Sequence, residues 1–147
     1  MQFLCRYDEL TTLADQPGDQ EWAAVAGKGF KTVINLRMPA ELPEPEGPKV
    51  RGAGMEYVEL PVGPPTMNDA TVAAFGKAWE EAKARGPVLV HCATARRASA
   101  LCVMLDAVKG GWTAERALER ARETGFPGDP PPLRAFFESY VRGRGAR

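Results

Sequence analysis

The order of periodic segments predicts an α/β domain, a mostly parallel central sheet flanked by helices. Three observations carry that expectation. Short β-branched or apolar runs alternate along the chain with stretches of helical periodicity. One of those runs, Val88-Leu89-Val90, is apolar throughout, as a strand buried on both faces is. The length, 147 residues, suits a single domain around one core.

Four segments read as strands: residues 10–14, 31–36, 55–62 and 88–91. Asp19 is placed to cap a first helix carrying Trp22, Val25 and Ala26, ended by Gly27 or Gly29. Thr66 and Asp69 form a Thr-x-x-Asp pattern of the capping-box kind, before a helix with Val72, Phe75, Trp79 and Ala82 on one face. Leu101, Met104, Leu105 and Val108 define a third helix, stopped by Gly110-Gly111. A fourth starts near Thr113, buries Ala117, Leu118 and Ala121, and ends at Gly125. After Pro130-Pro131-Pro132, a last helix presents Leu133, Phe136, Phe137, Tyr140 and Val141 to the core. One domain is expected over residues 1–147, with 143–147 a flexible basic tail. Residues 37–48, rich in proline and carrying Glu41, Glu44 and Glu46, read mostly as a stiff, solvated connection.

Composition excludes several classes. Nineteen basic residues balance nineteen acidic ones, so neither nucleic acid nor a membrane surface is an expected partner. No apolar run is long enough to span a bilayer and the N-terminus lacks a signal-peptide layout, so a cytoplasmic location is expected. Three cysteines form no disulfide framework. His91 is the only histidine and no cysteine pair has ligand spacing, so no metal or cofactor is expected.

The informative stretch is His91-Cys92-Ala93-Thr94-Ala95-Arg96-Arg97-Ala98-Ser99, which joins the apolar strand to a helix. A thiol is a useful nucleophile only as thiolate, and a helix N-terminus with nearby cations favours that form. The loop amides can form an anion nest, and Arg97 offers a planar fork to two oxygens of a tetrahedral anion. The small residues Ala93, Thr94 and Ala95 let the backbone approach a ligand closely. Neighbouring residues at a strand end point to opposite faces, so His91 faces away from the nucleophile and supports the loop instead of acting as its base. Substrate contacts are expected from Ala93, Thr94, Ala95, Arg96 and Arg37; at the neighbouring strand end Arg37 and Glu41 either line the pocket or form a salt bridge on the rim.

His91-Cys92-x-x-x-x-Arg97 resembles the active-site loop of cysteine-dependent phosphatases. With residues 29–37, 54–62 and 88–92, and Asp15-Gln16-Pro17 before the first helix, the chain resembles the phosphatase-like domain of the beta-lactamase-hydrolase-like family over about residues 8–125. This is a bacterial branch of the dual-specificity phosphatase fold. The resemblance implies attack by Cys92 on a phosphomonoester of a small molecule or a phosphoprotein. A phosphocysteine would form, its oxygens held by Arg97, with an acid to protonate the leaving group. Asp69 is the candidate acid. Three positions depart from the usual phosphatase pattern. Four residues, not five, separate Cys92 from Arg97; Ala95 stands for a loop glycine; and Ala98 follows the arginine where a hydroxyl is usual, with Ser99 one step later. The shorter loop also resembles that of single-domain rhodaneses, which implies sulfur transfer through a Cys92 persulfide. The lost glycine and hydroxyl would equally suit an inactive anion-binding module.

Overall fold

The computed structural model describes residues 4–42, 44–63 and 67–144. The elements follow in chain order: β1 (Leu4–Arg6), β2 (Thr11–Ala14), α1 (Trp22–Gly27), β3 (Thr32–Asn35), α2 (Gly47–Gly52), β4 (Glu56–Glu59), α3 (Asp69–Arg85), β5 (Val88–His91), α4 (Arg96–Gly110), α5 (Ala114–Thr124) and α6 (Pro131–Arg144), with a 3-10 turn at Pro39–Glu41. The sheet has the order β1-β2-β5-β3-β4. β2, β5, β3 and β4 are mutually parallel and β1 adds an antiparallel edge. The expected α/β architecture is therefore present, and the apolar run forms the middle strand.

β5 is buried at all four residues because helices cover both faces of the sheet. Its alternation sorts the core. Val88, Val90 and Cys92 join the larger cluster with Phe75 and Trp79 of α3, Leu101 and Met104 of α4, and Phe137 of α6. Leu89 joins the smaller cluster, with Trp22 and Val25 of α1 and Val50 of α2. His91 stacks at a tilt on Trp22, ring centroids 5.9 Å apart, on that same second face. The register pairs Ala14 and Asn35 with His91, and Asn35 with Glu59, so four parallel strands end along one rim. Ligand sites in such sheets lie beyond that rim.

Several local expectations change in three dimensions. α1 is capped at Glu21 without a side-chain bond, because Asp19 is engaged with Lys49 Nζ at 2.8 Å. The cap of α3 is Asn68, whose side chain accepts from Thr71 N at 2.9 Å; Thr66 lies outside the described residues. Residues 37–48 are not a plain connection, for they hold the 3-10 turn and the start of α2. α6 continues to Arg144, so the expected tail is helical at Gly143 and Arg144. β1 was not expected: a three-residue strand, exposed at Leu4 and Arg6, leaves no pattern to read. Thr113 does cap α5, accepting from Arg116 N, and Gly111 at φ 66° ends α4 in the left-handed conformation glycine favours.

Leu89 has no accessible surface and packs from the middle strand against α1 and α2. Leu89→Ala is expected to lower the unfolding free energy by about 3 kcal/mol in urea titration, through lost transfer energy and the cavity left behind.

Candidate active site

The loop after β5 turns tightly and enters α4 at Ala95, which adopts φ 68° and ψ −2°. It is the one non-glycine residue with positive φ among the described residues. The conformation costs an alanine about 1 kcal/mol or more. It sits at the position where the resemblance expects glycine, so the loop keeps its shape although the residue best suited to it has been replaced. Among the described residues, no backbone N–H from 93 to 98 has a hydrogen-bond partner; the first paired amide is Ser99, to Ala95 O at 3.0 Å. Unpaired amides at a helix start are donors for an anion. Cys92 opens this loop directly after β5 and has no accessible surface.

Arg97 is held from one side only. Its Nη1 donates to Glu41 Oε2 at 2.9 Å and to Val62 O at 2.8 Å, and its Nη2 donates to Glu41 Oε1 at 2.8 Å. A guanidinium has five N–H donors. Three are spent on the end of the fork, which leaves Nε–H and one Nη2–H along its side edge, spaced to receive two oxygens of a tetrahedral anion. The Arg97 guanidinium holds the Glu41 carboxyl well below the usual carboxylate range, to about 2.

Behind the loop lies a second carboxylate. His91 Nε2 meets Glu46 Oε2 at 2.6 Å, and both residues are buried. Gln16 Nε2 donates to Glu46 Oε1 at 2.7 Å, while Gln16 Oε1 accepts from Arg37 Nη1 at 3.0 Å. Arg37 Nη2 donates to Glu41 O at 2.9 Å. These contacts link His91 to Arg97 around the rim.

A cavity of about 490 Å³ adjoins the loop. Thr94, Arg96, Arg97, Glu41 and Gly63 form its polar side, and Met38, Met67, Pro130, Pro132, Leu133 and Phe136 its apolar side. The structure thus brings Thr94, Arg96 and Arg97 to the cavity; Cys92 is buried on the same face of the sheet as α4 and is not itself a lining residue, and His91 lies on the opposite face against Trp22. Arg37 is not among the lining residues: its guanidinium positions Gln16 and Glu41 instead of facing a substrate. Ser99 is buried in the α4–α5 contact, donating to Ala121 O at 3.1 Å and 2.8 Å from Thr124 Oγ1, so its hydroxyl serves the helix packing and not the loop. Asp69 is the first residue of α3, exposed, bound to Arg144, and outside the cavity lining.

Sequence reasoning missed Glu46 and the α6 wall of the cavity. A signal for the first existed. A lone histidine ending a buried strand requires a polar partner, and residues 41–46 hold the acids nearest in topology. No signal marks Leu133 and Phe136, because the pattern that puts a helix against a core does not say which residues stand at its edge.

A buried cysteine directly after the middle strand, a loop of unpaired amides and an arginine, all at the rim of a parallel sheet, are the arrangement of a cysteine-phosphatase-like domain. The comparisons agree. Residues 8–109 match the family described as beta-lactamase hydrolase-like protein, phosphatase-like domain, and the chain belongs to that family. A beta-lactamase hydrolase-like protein of Agrobacterium fabrum is 36% identical over 110 residues, 71% of this chain and 25% of that protein. The chain thus spans about a quarter of the length of that relative. The dual specificity protein phosphatase TpbA of Pseudomonas aeruginosa is 34% identical over 92 residues, covering 62% of this chain and 41% of its own. A crystal structure of TpbA superposes with a TM-score of 0.74 at 24% identity over 95% of this chain and 83% of that one. A Shewanella putrefaciens structure gives 0.80 at 25% identity, over 97% and 93% of the two chains. Relatives of phosphatase type thus surround the chain in sequence and in fold.

Two outcomes follow. Glu41 titrates near 2 in the folded chain against an ordinary value of 4.5. Its pairing with Arg97 therefore stabilises the fold above pH 4.5 and is lost as the pH falls from there toward 2. Glu41→Gln should remove that part of the acid sensitivity in denaturation curves between pH 5 and about 2.5, and lower stability at neutral pH by about 2 kcal/mol. Ala95→Gly should raise the thermal midpoint, with a gain of about 0.5–1 kcal/mol, because glycine carries no left-handed penalty.

Proposed function

We propose that the chain is a cysteine-dependent phosphatase acting on a phosphomonoester of a small molecule or a phosphoprotein, in the manner of tyrosine and dual-specificity phosphatases. The observation that carries this reading is the set of unpaired amides at residues 93–98, together with the unspent edge of Arg97, directly after a cysteine at the sheet rim.

Cys92 Sγ attacks phosphorus as a thiolate, the bond to the departing oxygen breaks, and a phosphocysteine forms. Water then attacks phosphorus and the thiolate leaves. The non-bridging oxygens carry the charge throughout, and the loop amides with Arg97 Nε and Nη2 meet it with donors already fixed in place. His91 takes no part as a base, since its ring lies on the other face and engages Glu46. The thiolate is favoured instead by Arg97 and by the start of α4. The apolar wall of Met67, Leu133 and Phe136 suits an aromatic phosphate.

Hydrolysis of p-nitrophenyl phosphate by the purified chain tests this. Cys92→Ser is expected to reduce phosphate release to background. Arg97→Lys keeps the charge but loses the fork, and should cost about 100-fold or more in kcat. Retained turnover in Cys92→Ser, or thiocyanate formed from thiosulfate and cyanide without any phosphatase activity, would overturn the proposal.

A further inference from the structure

Departure of an alkoxide or an ordinary phenolate from phosphorus is helped by a proton placed on the leaving oxygen. Among the described residues that line the cavity, none is an acid free to give it. Glu41 is the one carboxyl among its lining residues, and Arg97 keeps it ionised. Asp69 is exposed and tied to Arg144. His91 lies across the sheet with its Nε2 on Glu46. The residues outside the described ranges carry no acid and no imidazole; in the segment beside Gly63 they are Pro64, Pro65 and Thr66. What the cavity has instead is a second cation. Arg96 lines it, half-buried, and has no ion pair or hydrogen-bond partner for its guanidinium among the described residues. The other arginines beside the loop are engaged elsewhere: Arg97 is paired with Glu41 and turns its remaining edge to the phosphoryl group, and Arg37 is held by Gln16 and the Glu41 carbonyl.

We infer that the leaving group departs from this site as an oxyanion received by Arg96, and that the substrates are phosphoryl derivatives of a weakly basic oxygen on an apolar body, either an electron-poor phenol or a carboxylic acid. The inference rests on the phosphatase reading and names its substrate class. In the first step the Sγ–P bond forms as the P–O bond breaks. The electron pair leaves with the oxygen, and no proton moves. In the second, water oxygen bonds to phosphorus, the S–P electron pair returns to Cys92, and one water proton passes to solvent while the other stays on the released phosphate. Arg96 donates hydrogen bonds to the new oxyanion and offsets its charge. The Met67, Leu133 and Phe136 wall receives the body of the group.

The test is kcat/KM across para-substituted phenyl phosphates, from nitro to methoxy, with benzoyl phosphate as the carboxylic member, all at neutral pH. A positioned acid contributes about 10²–10⁴-fold, so its lack should appear as a fall of about 100-fold or more from the nitro to the methoxy ester. Arg96→Gln should steepen that dependence, losing more on poor leaving groups than on good ones, and Arg96→Lys should recover part of it. Benzoyl phosphate outpacing every phenol would select carboxylates as the leaving class; the reverse order would select phenols. A flat series that still vanishes in Cys92→Ser would overturn the inference and leave the phosphatase reading standing. No turnover of any member would remove both. An equal loss across the series in Arg96→Gln would overturn the role of that residue, since a merely structural arginine scales all substrates alike.

Discussion

The site depends on one clamp. β5 ends at His91 and the chain continues into Cys92, and strand geometry sends these neighbours to opposite faces of the sheet. Each must then be fixed from its own side, and a single segment does both. Glu41 reaches Arg97 on the cysteine face and Glu46 reaches His91 on the other. Only four residues separate the two carboxylates in sequence, so residues 37–48 grip the end of the middle strand from above and below. A partly buried pair such as Arg97–Glu41 is not a large net source of stability, but removing one partner leaves the other group uncompensated, at a cost of about 2 kcal/mol. The clamp is thus better understood as a device for position than for strength.

Gln16 makes the two arms one network. Its amide nitrogen serves Glu46 and its oxygen serves Arg37, which in turn holds the backbone carbonyl of Glu41. Every polar group that orients Arg97 is therefore itself oriented by another. Fixed donors stabilise developing charge without the reorganisation that solvent would require. The result is a cation fixed in advance, with the side edge of Arg97 unspent and the amides of the loop unpaired, as the proposed phosphoryl site requires. Ala95 tolerates a left-handed backbone there. A residue held in such a conformation needs the surrounding packing to over-determine it, and buried Ala98, Ser99 and Ala100 in the first turns of α4 supply that packing.

Much of this was legible in the linear chain. The apolar run at residues 88–90 was consistent with a doubly covered strand, the helical faces repeated at their proper period, and Thr113, Gly111 and Gly125 marked ends that the structure keeps. His91 facing away from the nucleophile followed from alternation alone. What sequence reading mistook had a common origin in long-range partners. Asp19 had the right chemistry to cap α1 but found Lys49, thirty residues away. Ser99 stood beside the loop in sequence, yet the turn of the helix carries its hydroxyl to α5. Arg37 was expected to face a substrate and Glu46 to lie in a solvated connection, but Arg37 is taken up by Gln16 and the Glu41 carbonyl and Glu46 by His91 and Gln16.

By itself the sequence determined the fold class, the middle strand, and the placing of a cysteine and an arginine around an anion-sized loop. These depend on periodicity and on spacing within a few residues, where chain connectivity leaves little freedom. Only the tertiary structure decided which arginine is spent and which is free, which carboxylate holds which face, and that α6 walls the cavity. Those depend on pairings across thirty to fifty residues, where many polar partners satisfy the same local pattern and packing selects among them.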